Sequence, residues 1–156
     1  MSILNLPASY FAIPDPRRAL ERCLHRFKHC RDVTLGDRRV QVRWTERAAR
    51  ELQRRRQPLV VELQLYFSCV VKKRVLFHES TTLDSTPVTD KLRLAYRAIA
   101  SAACDPLEFA NNYPSGKVLS GPAVARMVPG RVELDFRRDG WEGEFYYGSR
   151  SAEIQD

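Results

Sequence analysis

The segment 59–77 reads LVVELQLYFSCVVKKRVLF, and its alternation decides how the chain is built. Val61, Leu63, Leu65 and Phe67 fall on every second position, with Glu62, Gln64 and Tyr66 between them. A period of two places the first set on one face of a strand and the second set on the other. Val70–Phe77 reads as a second strand. A bend near Ser68–Cys69, or within the Lys72–Arg74 cluster, would join the two as an antiparallel pair.

Upstream, Arg38–Trp44 alternates through Val40, Val42 and Trp44 and predicts another strand. Thr45 then caps a helix from Glu46 to about Arg56, with Ala48, Ala49 and Leu52 facing inward. Arg54, Arg55 and Arg56 suit the negative end of its dipole. Asp15–Pro16 predicts an earlier helix reaching about Cys30. Its apolar stripe is Ala19, Leu20, Cys23, Leu24, Phe27 and Cys30. Residues 1–14 are apolar and irregular, an arm across the domain.

Downstream, 79–88 reads as a polar loop, and Thr89 as the cap of a third helix over 90–103. Leu92, Tyr96, Ile99 and Ala103 recur at helical spacing there, although Leu92, Leu94 and Tyr96 also alternate as in a strand. A short helix over 106–111, a loop over 114–121 and a helical turn over 122–127 follow. Asp139–Gly140 joins Arg131–Phe136 to Trp141–Tyr147 as a hairpin. The expected architecture is α+β: a mixed, mainly antiparallel sheet, two N-terminal amphipathic helices on one face, and a third helix. Residues 15–148 form the single domain, 1–14 the arm and 149–156 a frayed tail.

A chain of 156 residues with 44% hydrophobic residues can bury one core. No apolar run approaches the roughly 18 residues a membrane span needs. The N-terminus has no basic, apolar leader, so the four cysteines are expected as free thiols in the cytoplasm. The formal charge of +7 is uneven. Residues 1–58 hold 14 Lys and Arg against 6 Asp and Glu, an excess of eight; the remainder holds 12 against 13. Such a surface attracts an anionic surface, nucleic acid or an acidic protein partner. The candidate anion-binding residues are Arg17, Arg18, Arg22, Arg26, Arg47, Arg50, Arg54 and Arg55. The plainer reading of the same arginines is the solvated side of two amphipathic helices.

Cys23-x-His25-x3-His29-Cys30 suggests a metal site, but helical projection separates the histidines from the cysteines. The expectation is therefore core cysteines and surface histidines. Cys69, near Lys72, Lys73 and Arg74, and Cys104, before the Asp105–Pro106 helix start, are candidate reactive or ligating thiols. His78–Glu79–Ser80 is a weak catalytic cluster, because neighbours on a strand point to opposite faces. There is no Gly-x-Ser-x-Gly, no phosphate-binding glycine loop and no recognisable nucleic-acid motif.

Two stretches resemble the A-type iron–sulfur cluster carriers, the HesB-like family. Val40-Gln-Val42-Arg-Trp-Thr45-Glu-Arg-Ala48-Ala49-Arg-Glu-Leu52 is similar to that family's opening strand, Thr-x-x-Ala-Ala and helix. Gly130-Arg-Val-Glu-Leu134-Asp135-Phe136, with Gly143-Glu-Phe145, is similar to its closing Leu-Asp-Tyr and Gly-Phe elements. The resemblance implies a related fold and makes Cys69 the counterpart of the first cluster ligand. No cysteine follows Cys104, so the closing Cys-x-Cys is missing. A cluster needs about four ligands; a homodimer could pool Cys69 from two chains. Three functions follow as expectations: a non-catalytic accessory or protein-interaction domain related to those carriers; a nucleic-acid-binding module; or an enzyme with its site near Cys69, His78 or Cys104.

Overall fold

The computed structural model describes residues 16, 17, 20, 24, 26–68, 70–101, 116–138 and 140–148. The strands are β1 (His29–Leu35), β2 (Arg38–Trp44), β3 (Leu59–Phe67), β4 (Val71–His78), β5 (Thr86–Pro87), β6 (Leu92–Ser101), β7 (Gly116–Leu119), β8 (Arg131–Arg137) and β9 (Gly140–Tyr146). The delimited helices are α1 (Glu46–Arg54) and α2 (Pro122–Ala125). Two sheets result. The first has the order β1-β2-β8-β9, and the second β4-β3-β6-β5, with β7 also on β6. Each is mixed: β2–β8 and β3–β6 run parallel, and the other pairs antiparallel.

The alternation of β3 works as predicted. Leu59, Val61 and Leu63 join Leu92, Leu94, Val40, Val42, Trp44, Val132, Leu134 and Phe145 in one core between the sheets. Thr45 caps α1 by accepting from Ala48 N at 3.3 Å, and Ala48 and Leu52 are buried in the same core. The hairpins β3–β4 and β8–β9 match the predicted pairings, and α2 matches the predicted turn.

The single-sheet α+β expectation is overturned. The chain is mostly β, in two sheets, and two N-terminal helices do not pack on one face. Residues 92–101 are strand β6, not a helix. The helical spacing misled because β6 is buried on both sides: Leu92, Leu94 and Ala98 on one, Ala95 and Ile99 on the other. Burial on both faces erases a clean period of two. Thr89 accepts instead from Lys91 N, capping a turn.

The first predicted helix is also too long. Pro16, Arg17, Leu20 and Leu24 have helical backbone, but 26–28 do not, and His29 and Cys30 open β1. Leu20 and Leu24 are exposed, not packed on a sheet. A tight turn at Gly36–Asp37 returns β1 onto β2, with Gly36 at φ 62° supplying the first central position of the turn. Residues 116–119 pair with β6 where a loop was expected. The arm over 1–14, the helix over 106–111 and the tail over 149–156 lie outside the described residues. No described helix is long and apolar enough to cross a membrane.

Candidate functional site: a carboxylate-rimmed aromatic groove

The site begins with the register of β8 on β9. Val132 pairs Phe145 and Leu134 pairs Gly143, turning these residues to the core. Alternation then sends Arg131, Glu133, Asp135 and Arg137, with Glu142, Glu144 and Tyr146, to the opposite face. That face is a lattice of charges. Arg131 reaches Glu133 at 3.3 Å and Arg137 reaches Glu142 at 3.3 Å.

Asp135 is its hub. Arg47 Nε donates to Oδ1 at 2.7 Å and Nη2 to Oδ2 at 2.5 Å. The Thr45 hydroxyl and the Phe136 amide also donate to Oδ1. Burial would push this carboxyl upward, but the bonds from Arg47, Thr45 and Phe136 outweigh it and hold it below its ordinary value.

A groove of about 460 Å³ runs along β9 and opens beside β4. Val75, Phe77, Trp141 and Gly143 form its apolar side; Glu133, Asp135, Glu142 and Glu144 line it as carboxylates, with Arg137 among them and Phe27 and Tyr146 beside them. Trp141 stacks near Phe77 at 6.1 Å between centroids and meets Phe136 edge-on at 5.1 Å. Gly143 keeps the wall thin. A Cβ there would lie 2.9 Å from Val75 Cγ1 and 3.0 Å from Leu134 Cδ2.

The carboxylates differ in exposure, and each faces a cation of the chain. Glu133 and Asp135 are 15% and 16% exposed and bound by arginines. Glu142 and Glu144 are 57% and 62% exposed on the rim, where Arg137 reaches Glu142 at 3.3 Å and Lys73 stands 4.0 Å from Glu144. The aromatic rings already hold cations of the chain itself. Arg43 sits over Phe27 at 5.7 Å, Arg131 over Tyr146 at 4.7 Å, and Lys73 over Tyr146 at 5.4 Å. Burial, then the charges of Glu144 and Glu133, push the Tyr146 phenol well up.

A second polar cluster lies on the outer side of β3. Glu62 is fully buried, yet Arg97 Nε and Nη2 donate to its Oε1 at 2.7 and 2.6 Å. His78 Nε2 meets Oε2 at 2.7 Å, and Gln64 donates at 3.0 Å. These bonds overcome the burial that would raise the carboxyl and hold it low. His78 is therefore bound to Glu62 across the strand pair.

The predicted arginine set is not brought together as one surface. Arg47 is held by Asp135; Arg55, 14% exposed, reaches Glu79 and the Gln57 carbonyl. Arg50 and Arg54 are 73% and 77% exposed, and Arg17 and Arg26 are exposed. Arg18, Arg22, Cys23, His25, Cys69 and Cys104 lie outside the described residues. Cys30, expected in the core, is exposed. His29 stacks on Trp44 at 5.7 Å and meets Glu46 at 2.9 Å. Among the described residues, no three His, Cys, Asp or Glu side chains converge as a metal site requires.

Sequence reading missed the groove itself. Its signal was present: Arg131, Glu133, Asp135 and Arg137 alternate with Val132, Leu134 and Phe136. A strand with one wholly charged face has a surface to explain. Comparison with family models, curated proteins and solved structures found no match to this chain.

Proposed function

We propose that the chain is a non-catalytic protein-binding domain whose groove along β9 receives a cationic, apolar segment of a partner. One observation carries this reading: the exposed carboxylates Glu142 and Glu144 stand beside the apolar side made by Val75, Phe77 and Trp141. A partner side chain can bury its stem there and keep its charge at the rim. Lysine or arginine is favoured at such a place, and acidic segments are repelled.

The test is a titration of the full chain with a synthetic lysine–leucine helical peptide, read through Trp141 fluorescence. Trp44 is buried at 6% exposure and serves as the internal reference. Saturable binding, weakened at least tenfold by Glu142→Lys/Glu144→Lys, is the expected result. No spectral response, or equal affinity for an acidic peptide, would overturn the reading.

Kinship with the A-type carriers remains a second proposal, supported by one relationship. The two stretches that carry the resemblance lie side by side: β2 pairs in parallel with β8, and Thr45 bonds Asp135. Cluster binding through Cys69 is a separate matter. It would show as charge-transfer absorption after anaerobic reconstitution, lost in Cys69→Ser; a colourless product removes it. Nucleic-acid binding rests on the outward Arg50 and Arg54. It requires oligonucleotide affinity that falls steeply with salt and is lost in Arg50→Glu/Arg54→Glu.

A further inference from the structure

We infer that a second cavity, on the outer face of the first sheet, binds a phosphate dianion, either free or as the headgroup of a small monoester. The cavity measures about 470 Å³ and is lined by none of the residues of the groove along β9. Its size lies in the range of small-molecule sites, roughly 300–1,000 Å³.

Strand register builds it. Asp32 pairs Gln41, and Gln41 pairs Arg131, so the three stand in one row across β1, β2 and β8. Arg39, two residues before Gln41, falls on the same face. Arg38 joins them at the start of β2, and all five residues line the cavity. Gln41 N donates to the Gly130 carbonyl at 2.9 Å, which holds the start of β8 against β2. Gly130 and Gly148 complete the wall without side chains, leaving the room to the guanidinium groups.

Charge selects the ligand. Three arginines against the single carboxylate of Asp32 leave the lining with two positive charges in excess. Asp32 is taken by Arg39. Arg38 Nη1 donates to the Arg126 carbonyl at 3.0 Å, a neutral acceptor, and no carboxylate among the described residues pairs with it. Arg131 Nε stands 3.3 Å from Glu133 Oε1, but the same oxygen also meets Arg43 at 3.5 Å, so one carboxylate is divided between two guanidinium groups. Arg131 lies over the Tyr146 ring at 4.7 Å and is 19% exposed, which fixes its plane. Each of these polar contacts engages one nitrogen, whereas a guanidinium carries five donor hydrogens in a planar fork. The remaining donors suit the oxygens of a phosphate, and a dianion cancels the excess charge.

Calorimetric titration of the full chain at low salt tests the site, with phenyl phosphate, inorganic phosphate and benzenesulfonate as probes. Phenyl phosphate should bind saturably. Benzenesulfonate, the same ring with a single charge, should bind at least tenfold more weakly. Arg38→Gln/Arg39→Gln, at two exposed positions, should weaken phenyl phosphate at least tenfold with unchanged circular dichroism. Arg131→Lys keeps the charge, loses the fork and should weaken it as well. Arg50→Gln/Arg54→Gln removes the same charge from α1 and should leave binding unchanged. Inorganic phosphate bound as tightly as phenyl phosphate identifies the free ion as the ligand; weaker binding identifies the monoester. No saturable binding of either phosphate, equal affinity for benzenesulfonate, or equal weakening by the two double variants overturns the site.

Discussion

Arg47, in the first turn of α1, grips Asp135, in the middle of β8, with two parallel hydrogen bonds. Their side chains are 27% and 16% exposed, so this is a largely shielded ion pair of the fork-to-fork kind. It ties the helix that follows β2 to the strand paired with β2, and it fixes one wall of the groove.

Asp135→Asn keeps the shape but leaves the guanidinium without a counter-charge. A loss of about 2 kcal/mol is expected, the scale of hydrogen bonds to charged groups. Arg47→Lys should cost less, because the lysine keeps the counter-charge to Asp135 although it loses the paired contact. Urea denaturation checks both; an Asp135→Asn chain within about 0.5 kcal/mol of the parent would contradict the anchoring role.

Glu62 is the more buried of the two carboxylates, and Arg97 and His78 both depend on it. Glu62→Gln should therefore destabilise by about 3 kcal/mol, the range for removing one partner of a buried pair. Arg97→Gln alone should cost less, and the double variant should be less damaged than the sum of the two. A double-mutant cycle with no coupling would show that the cluster contributes nothing beyond packing.

Both carboxyls are held below their ordinary values, which fixes the sign of an acid effect. Their stabilisation is fully present above the unfolded values, taken as 4.5 for Glu62 and 3.8 for Asp135. Below those, the unfolded chain binds protons that the folded chain refuses, and stability falls as pH drops toward the folded values. Each carboxyl contributes a slope of at most about 1.4 kcal/mol per pH unit. Thermal unfolding from pH 6 downward should show the fall beginning near the unfolded values, and Glu62→Gln should flatten it. A slope unchanged in that variant would remove Glu62 as a source.

Gly143 separates β9 from β4. A methyl at this position would meet Val75 Cγ1 at 2.9 Å, Leu134 Cδ2 at 3.0 Å and Phe77 Cζ at 3.2 Å. Gly143→Ala is expected to cost about 1–3 kcal/mol by overpacking and to shift Trp141 fluorescence, because Trp141 packs on Phe77. Unchanged stability and spectrum would mean that the two strand edges yield freely.

The fold was legible where the two faces of an element differ in polarity; β3 is buried on both, but Glu62 and Gln64 alternate with Val61, Leu63 and Leu65 and keep its period of two readable. β2, α1 and the β8–β9 hairpin carry clean periods because each has a wet side. β6 does not; with Ala95 and Ile99 buried behind it, its pattern imitated a helix. β1 was hidden for a different reason. Cys30, Arg31 and Asp32 are exposed on an outer strand, so burial left little pattern there. The Gly36–Asp37 turn was the available clue. The groove was not legible, because it joins β4 to β9 across two sheets and no sequence spacing reports that contact. The arginines were visible, but not that Asp135 and Glu79 would claim Arg47 and Arg55.

Reversal of specificity tests the groove most directly. The parent chain and Glu142→Lys/Glu144→Lys are each titrated with a lysine–leucine and a glutamate–leucine helical peptide by calorimetry. The parent should bind the cationic peptide at least tenfold more tightly, and the variant should invert that preference. A variant that keeps the parent's preference, or a parent that binds neither peptide, would contradict the groove as the site of partner docking.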